Sequence, residues 1–200
     1  MKLTRSRIAI LAILCSAVPS VALEMGSLNV RNCVWCHGSS VQGYLPAPRL
    51  AGQKAQYLQN QMQDFREHTR DNPDSKQYMW GASAGVGPHT LRELAIYFSM
   101  LPAKAANDGP QELVATGRTV YQDGIPTSNI VSCVACHGPN GEGSGEIPRL
   151  GGLSYTYLKK RLEQWGEGYH ATAKFPMPRI ASKLPPNVIV ALASYLSFVK

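Results

Sequence analysis

Two clusters of cysteine and histidine, far apart in the sequence, hold the side chains best suited to chemistry in this chain of 200 residues. Each cluster has two cysteines three positions apart and a histidine directly after the second. Thiols and an imidazole at this spacing suit a disulfide, a zinc site, a redox dithiol or a covalently attached haem. The residues are Cys33, Cys36 and His37 in the first cluster and Cys133, Cys136 and His137 in the second.

The spacing within each cluster favours the haem. On a helical turn, residues at positions i, i+3 and i+4 lie on one face, so both thiols and the imidazole point in the same direction. The thiols can then add to the two vinyl groups of one haem as thioethers, while the imidazole coordinates the iron from the same side. Cys-x-x-Cys-His is the signature of this attachment. The sequence therefore predicts two covalent haem c groups, one at each cluster.

The other kinds of site fit the sequence less well, although zinc and a disulfide remain the alternatives. Two cysteine pairs that share a zinc ion are usually about 15–20 residues apart, whereas 96 residues separate Cys36 from Cys133. A thioredoxin-like dithiol requires alternating strands and helices, and the sequence has no convincing strand pattern. A framework of disulfides does not explain why a histidine follows each pair.

The elements that must position the clusters form an internal repeat. An offset of 100 residues superimposes the two clusters, and it also places Pro48-Arg49-Leu50 on Pro148-Arg149-Leu150. Units this small bury little apolar surface and often need a cofactor for stability. The sequence predicts two tandem domains, 23–106 and 107–200, joined through a linker at 101–110.

The hydrophobic residues within each unit have helical spacing. Leu58, Met62 and Phe65 recur at intervals of four and three, which predicts one face of a helix. Pro88 and Pro186 precede two further helical runs, at a position where a helix tolerates proline. A short helix is also predicted over 113–121. The remaining sets with this periodicity are Leu158, Leu162 and Trp165; Leu91, Leu94 and Phe98; and Ile189, Leu192 and Leu196.

Two methionines are candidates for the second axial ligand of each iron. Met177 lies in the sequence FPMPR, where flanking prolines predict a loop and not a regular helix, so the side chain is not core filler. At an offset of 98 its repeat partner is Met79, whereas Met62 and Met100 align with other hydrophobic residues. A thioether opposite histidine raises the reduction potential. The three other histidines, His68, His89 and His170, are predicted to be surface or helix-end residues.

The beginning of the sequence predicts export. Residues 1–22 combine a basic start, an apolar run over 8–18 and small residues at a cleavage site, which is the pattern of a signal peptide. We expect a periplasmic protein that is soluble or peripherally associated with the membrane. Cleavage would remove three of the positive charges, so the formal charge of +7 falls to 7 − 3 = +4. The remaining basic residues are scattered, and no nucleic-acid partner is predicted.

Each unit resembles a class I cytochrome c, and the pair resembles the di-haem cytochrome c4 family. The resemblance covers 24–200 and is carried by CVWCHG, PRLAGQ, YLQNQMQDF and Met79, then by CVACHG, PRLGG, YLKKRLEQW and Met177. It implies an all-α fold in which each domain is wrapped around one haem c, with the two haems facing each other. It also implies that the carbonyls of Pro48 and Pro148 accept hydrogen bonds from the ligating histidines, and that Arg49 and Arg149 pair with haem propionates.

The same resemblance implies an electron carrier and not an enzyme. Its redox partners would be a quinol-oxidising complex or dehydrogenase on one side and a terminal oxidase or reductase on the other. The alternative is a di-haem subunit of an oxidoreductase, such as a sulfide-oxidising flavocytochrome. A di-haem peroxidase is a further alternative, but it needs an iron that can lose its sixth ligand, and two matched methionines argue against that.

Overall fold

The computed structural model describes residues 28–44, 46–173 and 176–200, so the predicted signal peptide lies outside the described residues. The secondary structure of these residues consists of helices. They form no β-sheet, only three isolated β-bridges. The predicted all-α class is therefore confirmed. None of the helices in these ranges is long and apolar enough to span a bilayer.

The described residues of the first domain form four α-helices, and the last of them has the predicted hydrophobic face. Leu91, Leu94 and Phe98 are all buried on one face of the last helix. Pro88 opens that helix because the first N–H of a helix needs no intrahelical acceptor. A π-helical turn, Ser75–Met79, precedes the third helix. The helices are α1 Leu28–His37, α2 Ala55–Arg66, α3 Trp80–Ala84 and α4 Pro88–Met100.

The second domain repeats this arrangement and adds one helix before the cluster. A 3₁₀ turn, Gln111–Leu113, leads into the added helix, and the turn and helix together span the short helix predicted over 113–121. Gly117 on this helix lies so close to the last helix that an added Cβ would meet the Ala191 carbonyl oxygen at 2.0 Å. The helices are α5 Val114–Asp123, α6 Val134–His137, α7 Tyr155–Gly166, α8 Met177–Ala181 and α9 Pro186–Phe198.

Each domain has its own hydrophobic core next to its cluster. In the second domain α5, α7 and α9 supply Tyr121, Leu158 and Leu192. In the first domain α1 carries the cluster, and its fully buried Val30 belongs to the same core as Leu94 of α4. Cys33 and Cys133 pack against these cores as partly buried residues. The cores therefore fix the backbone from which the cluster side chains project.

The predicted loop around Met177 is wrong in part. Helix α8 begins at Met177, with Pro176 as its N-terminal cap and Pro178 inside its first turn. The amide positions of a first turn have no intrahelical acceptor, so proline removes no hydrogen bond there. Two prolines that would break the middle of a helix are therefore compatible with its start.

Two buried hydrogen bonds between the Gln53 side chain and the Arg149 backbone join the two domains. The side-chain amide of Gln53 donates to the Arg149 carbonyl at 2.9 Å, and the Arg149 N–H donates to Gln53 Oε1 at 2.7 Å. The Arg149 guanidinium also donates to the carbonyls of Gly52 at 3.2 Å and Ala51 at 2.9 Å. These bonds tie the PRL segment of the second domain to that of the first.

Candidate haem sites

All four clustered cysteines are free thiols in the structure. Cys33 and Cys133 are partly buried, and Cys36 and Cys136 are exposed. Across 28–44, 46–173 and 176–200, no group of three or more histidine, cysteine or carboxylate side chains could hold a metal ion by itself. Neither the disulfide nor the zinc alternative is supported by this arrangement.

The thiols are also poorly suited to redox exchange. Burial raises the pKa of the Cys33 thiol, and the nearby Cys36 raises it further. Burial raises the pKa of Cys133 to about 11. A redox dithiol needs a low pKa because the thiolate is the nucleophile. The shifts are in the opposite direction, which argues against a thioredoxin-like role.

Each cluster histidine is oriented by a proline carbonyl. The His37 Nδ1–H donates to the Pro48 carbonyl at 2.8 Å, and the His137 Nδ1–H donates to the Pro148 carbonyl at 3.0 Å. A proton on Nδ1 leaves the lone pair of Nε2 free to coordinate a metal. Both side chains are buried, and burial lowers the pKa of each despite the carbonyl contact. The imidazoles are therefore held neutral, the form that can act as a ligand.

The loop after each histidine brings the proline carbonyl into place. The Gly43 N–H donates to the His37 carbonyl at 3.0 Å, and the Gly143 N–H donates to the His137 carbonyl at 2.8 Å. Gly43 has a φ of +84°, and an added Cβ would lie 2.9 Å from the Arg49 amide nitrogen. Glycine is required because both the positive φ and the close approach exclude a side chain. The sequence motif thus encodes the turn as well as the ligand.

The two candidate methionines lie at corresponding places in the fold. Met79 ends the π-helical turn directly before α3, and Met177 is the first residue of α8. Both are partly buried. The turn before Met79 is fixed by the buried Asn72, whose side-chain oxygen accepts from the Ser75 N–H at 3.1 Å. A π-helical turn is often found at a functional position. The role of the two methionines as iron ligands stays a prediction.

Comparison with known proteins agrees with this geometry. The Cytochrome c family model matches residues 26–93 and 114–199, once in each domain. Cytochrome c4 of Azotobacter vinelandii is 36% identical over 175 residues, covering 82% of this chain and 82% of the relative. The chain is a member of the di-haem cytochrome c4 family. Such domains bind haem c covalently, one group in each.

Two further proteins are similar to the present chain. The structure of Acidithiobacillus ferrooxidans cytochrome c4 aligns with a TM-score of 0.77 and 28% identity, covering 84% of this chain and 98% of that one. A thiosulfate dehydrogenase electron acceptor from Stutzerimonas stutzeri is 33% identical over 171 residues, covering 82% of this chain and 77% of the relative. The first comparison extends over both domains, so it confirms the tandem fold.

Unpaired N–H groups within the cytochrome c4 fold fit the haem carboxylates. Native proteins seldom leave a buried donor without an acceptor. Within the described residues, five buried side-chain nitrogens have no hydrogen-bond partner, and a haem propionate is an acceptor with four lone-pair sites. Most of them could not be predicted from the sequence, because they lie outside the repeated motifs. These nitrogens are Arg49 Nε, Arg70 Nε, Asn72 Nδ2, Trp165 Nε1 and His170 Nε2. Of these, His170 Nε2 faces the Asp64 carboxylate instead, at 3.3 Å.

The two arginines of the PRL segments have different surroundings. Arg49 Nη1 donates to Gln42 Oε1 at 3.1 Å and to the Lys104 carbonyl at 3.2 Å, and its Nε is unpaired. The Arg149 guanidinium donates to carbonyls through all three nitrogens, including that of Gly151. Burial lowers the pKa of Arg149 to about 10. Arg49 therefore has the free donor that a propionate needs, while Arg149 is occupied between the domains.

The surface assignment holds for two of the three remaining histidines and is wrong for the third. His68 is exposed and stacks on Trp80 with ring centroids 3.8 Å apart, and His89 is exposed. His170 is only 4% exposed. It is buried because the fold places it against Asp64 of the other domain, 106 positions away. No local pattern in the sequence reports that contact.

Proposed function

We propose that this di-haem cytochrome carries electrons in the periplasm between a quinol-oxidising complex or a dehydrogenase and a terminal oxidase or reductase. The matched histidine–proline contacts are the main support, because they prepare the same ligand in both domains. When bound, each haem supplies an iron that alternates between the ferric and ferrous states. The repeated methionines complete the proposal, since a filled sixth position leaves no site for a substrate.

The chain's own residues would hold and tune each haem. Cys33 and Cys36 would form the thioethers in the first domain, and Cys133 and Cys136 in the second. The prolines fix the tautomer and the ring orientation of the histidines, which strengthens the imidazole as a ligand. Met79 and Met177 would supply the thioethers on the opposite side. Buried N–H groups, Arg49 Nε among them, would donate hydrogen bonds to the propionates.

An exposed aromatic surface on the first domain supports docking there. Trp35 lies between the two cysteines of α1 and is 89% exposed, and Tyr44 in the following loop is 77% exposed. The equivalent residues of the second domain are Ala135 and Ser144. Aromatic side chains are enriched at the centre of protein interfaces. We infer that a redox partner contacts the first domain at this surface.

A dehydrogenase of an inorganic sulfur compound is one specific electron donor to consider. The support is the likeness to a relative named as a thiosulfate dehydrogenase electron acceptor. As a free carrier the protein would migrate alone on native size-exclusion chromatography. Co-purification with a flavoprotein or a dehydrogenase would favour the subunit role, and peroxide turnover above background would favour a peroxidase.

The experiment that tests the proposal is haem quantification with an electronic spectrum of the purified protein. We expect two covalent haems per chain and the weak near-red band of methionine bound to ferric haem. Met177→Ala should remove that band from one haem only, because the second domain loses its sulfur ligand. Met62→Leu is the control, since the repeat places leucine at the equivalent position. A colourless chain, a single haem, or an unchanged band in Met177→Ala would contradict the proposal.

A further inference from the structure

The repeat places a buried cation differently in the two domains. In the first domain Arg70 Nη1 donates to Gln61 Oε1 at 2.7 Å. In the second domain Arg161 Nη2 donates to His170 Nδ1 at 2.6 Å. Position 61 corresponds to 161 and position 70 to 170. The cation and its acceptor have therefore exchanged positions, and the acceptor in the second domain is a group that can titrate.

Each cation lies over an aromatic ring of its own domain. The Arg70 guanidinium is 4.8 Å from the centroid of Phe65, and that of Arg161 is 4.3 Å from the centroid of Trp165. Both arginines are buried. The charge is thus kept at equivalent places in the two domains, and only the nature of its partner differs.

His170 also contacts the first domain. Its backbone N–H donates to Asp71 Oδ1 at 2.7 Å, and its Nε2 lies 3.3 Å from Asp64 Oδ2. The second contact has poor hydrogen-bond geometry, since Nε2 counts as a buried atom without a hydrogen-bond partner, so we treat it as electrostatic. Lys160 adds a salt bridge to Asp74 at 2.6 Å. The His170 segment therefore lies against the end of α2 and the loop that follows it.

A second contact crosses the interface in the opposite direction. Arg70 Nη2 of the first domain donates to the Tyr157 hydroxyl of the second at 3.2 Å. This contact keeps its charge at all accessible pH values, because an arginine does not lose its proton. The interface thus combines contacts of the permanently charged Arg70 and Arg149 with one contact that depends on a histidine.

The hydrogen bonds of His170 define its protonation state. Nδ1 accepts from Arg161, so the ring proton is on Nε2, facing Asp64, and the imidazole is neutral. A second proton would go to Nδ1, where it would oppose an N–H of the Arg161 cation at 2.6 Å. The positive charge of Arg70 also disfavours a second proton on His170, whereas the negative charge of Asp64 favours it. The other ionisable groups at this contact are Asp71, Tyr57 and Tyr157.

We propose that His170 is a positioning residue that holds the second domain against the first only while its imidazole is neutral, so that acid loosens the domain interface. A looser interface should also slow electron exchange between the two haems, and this consequence rests on the proposed function. The loosening itself does not, because it concerns contacts among side chains of the apposed domains.

The direction of the pH effect follows from the surroundings of His170. Burial lowers its pKa, the contact with Asp64 raises it, and Arg161 and Arg70 lower it, with a net lowering below 6.5. A base whose pKa is lower in the folded state stabilises that state when neutral. This contribution is fully present above the pKa of the unfolded chain and is lost as the pH falls through that value towards the pKa of the folded state.

Hydrogen exchange of the full-length holoprotein at about pH 7.5 and about pH 5 tests the proposal. After correction for the intrinsic exchange rate, we expect protection of the His170 amide and of 64–74 to fall about tenfold at the lower pH. Amides of α9 should keep their protection. The same pH change should slow electron exchange between the two haems.

Two variants separate a pH-dependent role from a structural one. His170→Gln keeps an acceptor for Arg161 and a donor for Asp64 but cannot be protonated, so its protection should not depend on pH. Arg161→Gln combined with His170→Arg recreates the arrangement of the first domain and should behave in the same way. An equal acid-induced loss in His170→Gln and the wild type, or no loss in the wild type, would overturn the proposal. A protein that exchanges no electrons would contradict the proposed function but leave this pH profile measurable.

Discussion

The two domains share the geometry of their haem clusters and differ in the surface beside the cluster and in the helix that supports it. Each has a histidine bonded to a proline carbonyl 11 positions later, at 2.8 Å and 3.0 Å. On the surface, Trp35 of the first domain corresponds to Ala135 of the second, and one is an exposed aromatic while the other is a methyl group. The comparison shows that the turn holding the histidine is the same in both domains, whereas the exposed surface beside it differs.

The helices that support the two clusters also differ between the domains. In the second domain α5 approaches α9 closely, and the Tyr121 hydroxyl donates to the Gly138 carbonyl just after the cluster at 2.6 Å. The described part of the first domain has no helix equivalent to α5, since α1 corresponds to the segment that holds the second cluster. The second cluster is therefore supported by an additional helix. We expect the second domain to be the more stable of the two.

The largest effect should come from breaking the additional support. Gly117→Val places a side chain where a Cβ already meets the Ala191 carbonyl oxygen at 2.0 Å. We expect the second domain to lose about 3 kcal/mol or more of its free energy of unfolding, because α5 must move away from α9. Calorimetry of the holoprotein should show that this domain unfolds at a lower temperature than in the wild type.

Gly81→Ala is the matched control for this variant. An added Cβ at Gly81 has no heavy atom within 4 Å, so its unfolding transition should remain unchanged or rise slightly. An unaltered transition in Gly117→Val would show that the domain difference does not depend on the α5–α9 contact.

A smaller effect should follow from making the domains alike at one repeat position. Gln53 joins the domains through two hydrogen bonds to Arg149, whereas its equivalent, Leu153, is buried in the core of the second domain. Gln53→Leu leaves a buried N–H and carbonyl of Arg149 unpaired, at a cost of about 2 kcal/mol. Denaturant unfolding of the holoprotein measures the loss. Gln56→Leu, at an exposed position of α2, should change the free energy of unfolding little.

The smallest expected effect concerns the surface difference and should alter rate without altering stability. Trp35→Ala should lower the rate at which bacterial membranes containing a terminal oxidase oxidise the reduced protein, by about tenfold. Met100→Ala is the control, because Met100 is also exposed, at 79%, but lies on α4. Equal rates for the two variants would argue against docking at the surface around Trp35.

Much of the fold was predictable because it depends on residues close together in the sequence. The spacing of Leu91, Leu94 and Phe98 predicts α4, and Pro88 marks its first residue. Helix α8 was missed because proline signals a helix start and a loop equally well. The structure has a helix that begins at Met177 and packs against α7.

The sequence by itself determined the two haem clusters, the repeat and the family. Covalent attachment needs two thiols and an imidazole on one helical turn, so the signal is contiguous. Only the tertiary structure decided that His170 is buried against Asp64 and that Gln53 pairs with Arg149. These partners are about one hundred positions apart, and local spacing carries no record of contacts made when two folded domains meet.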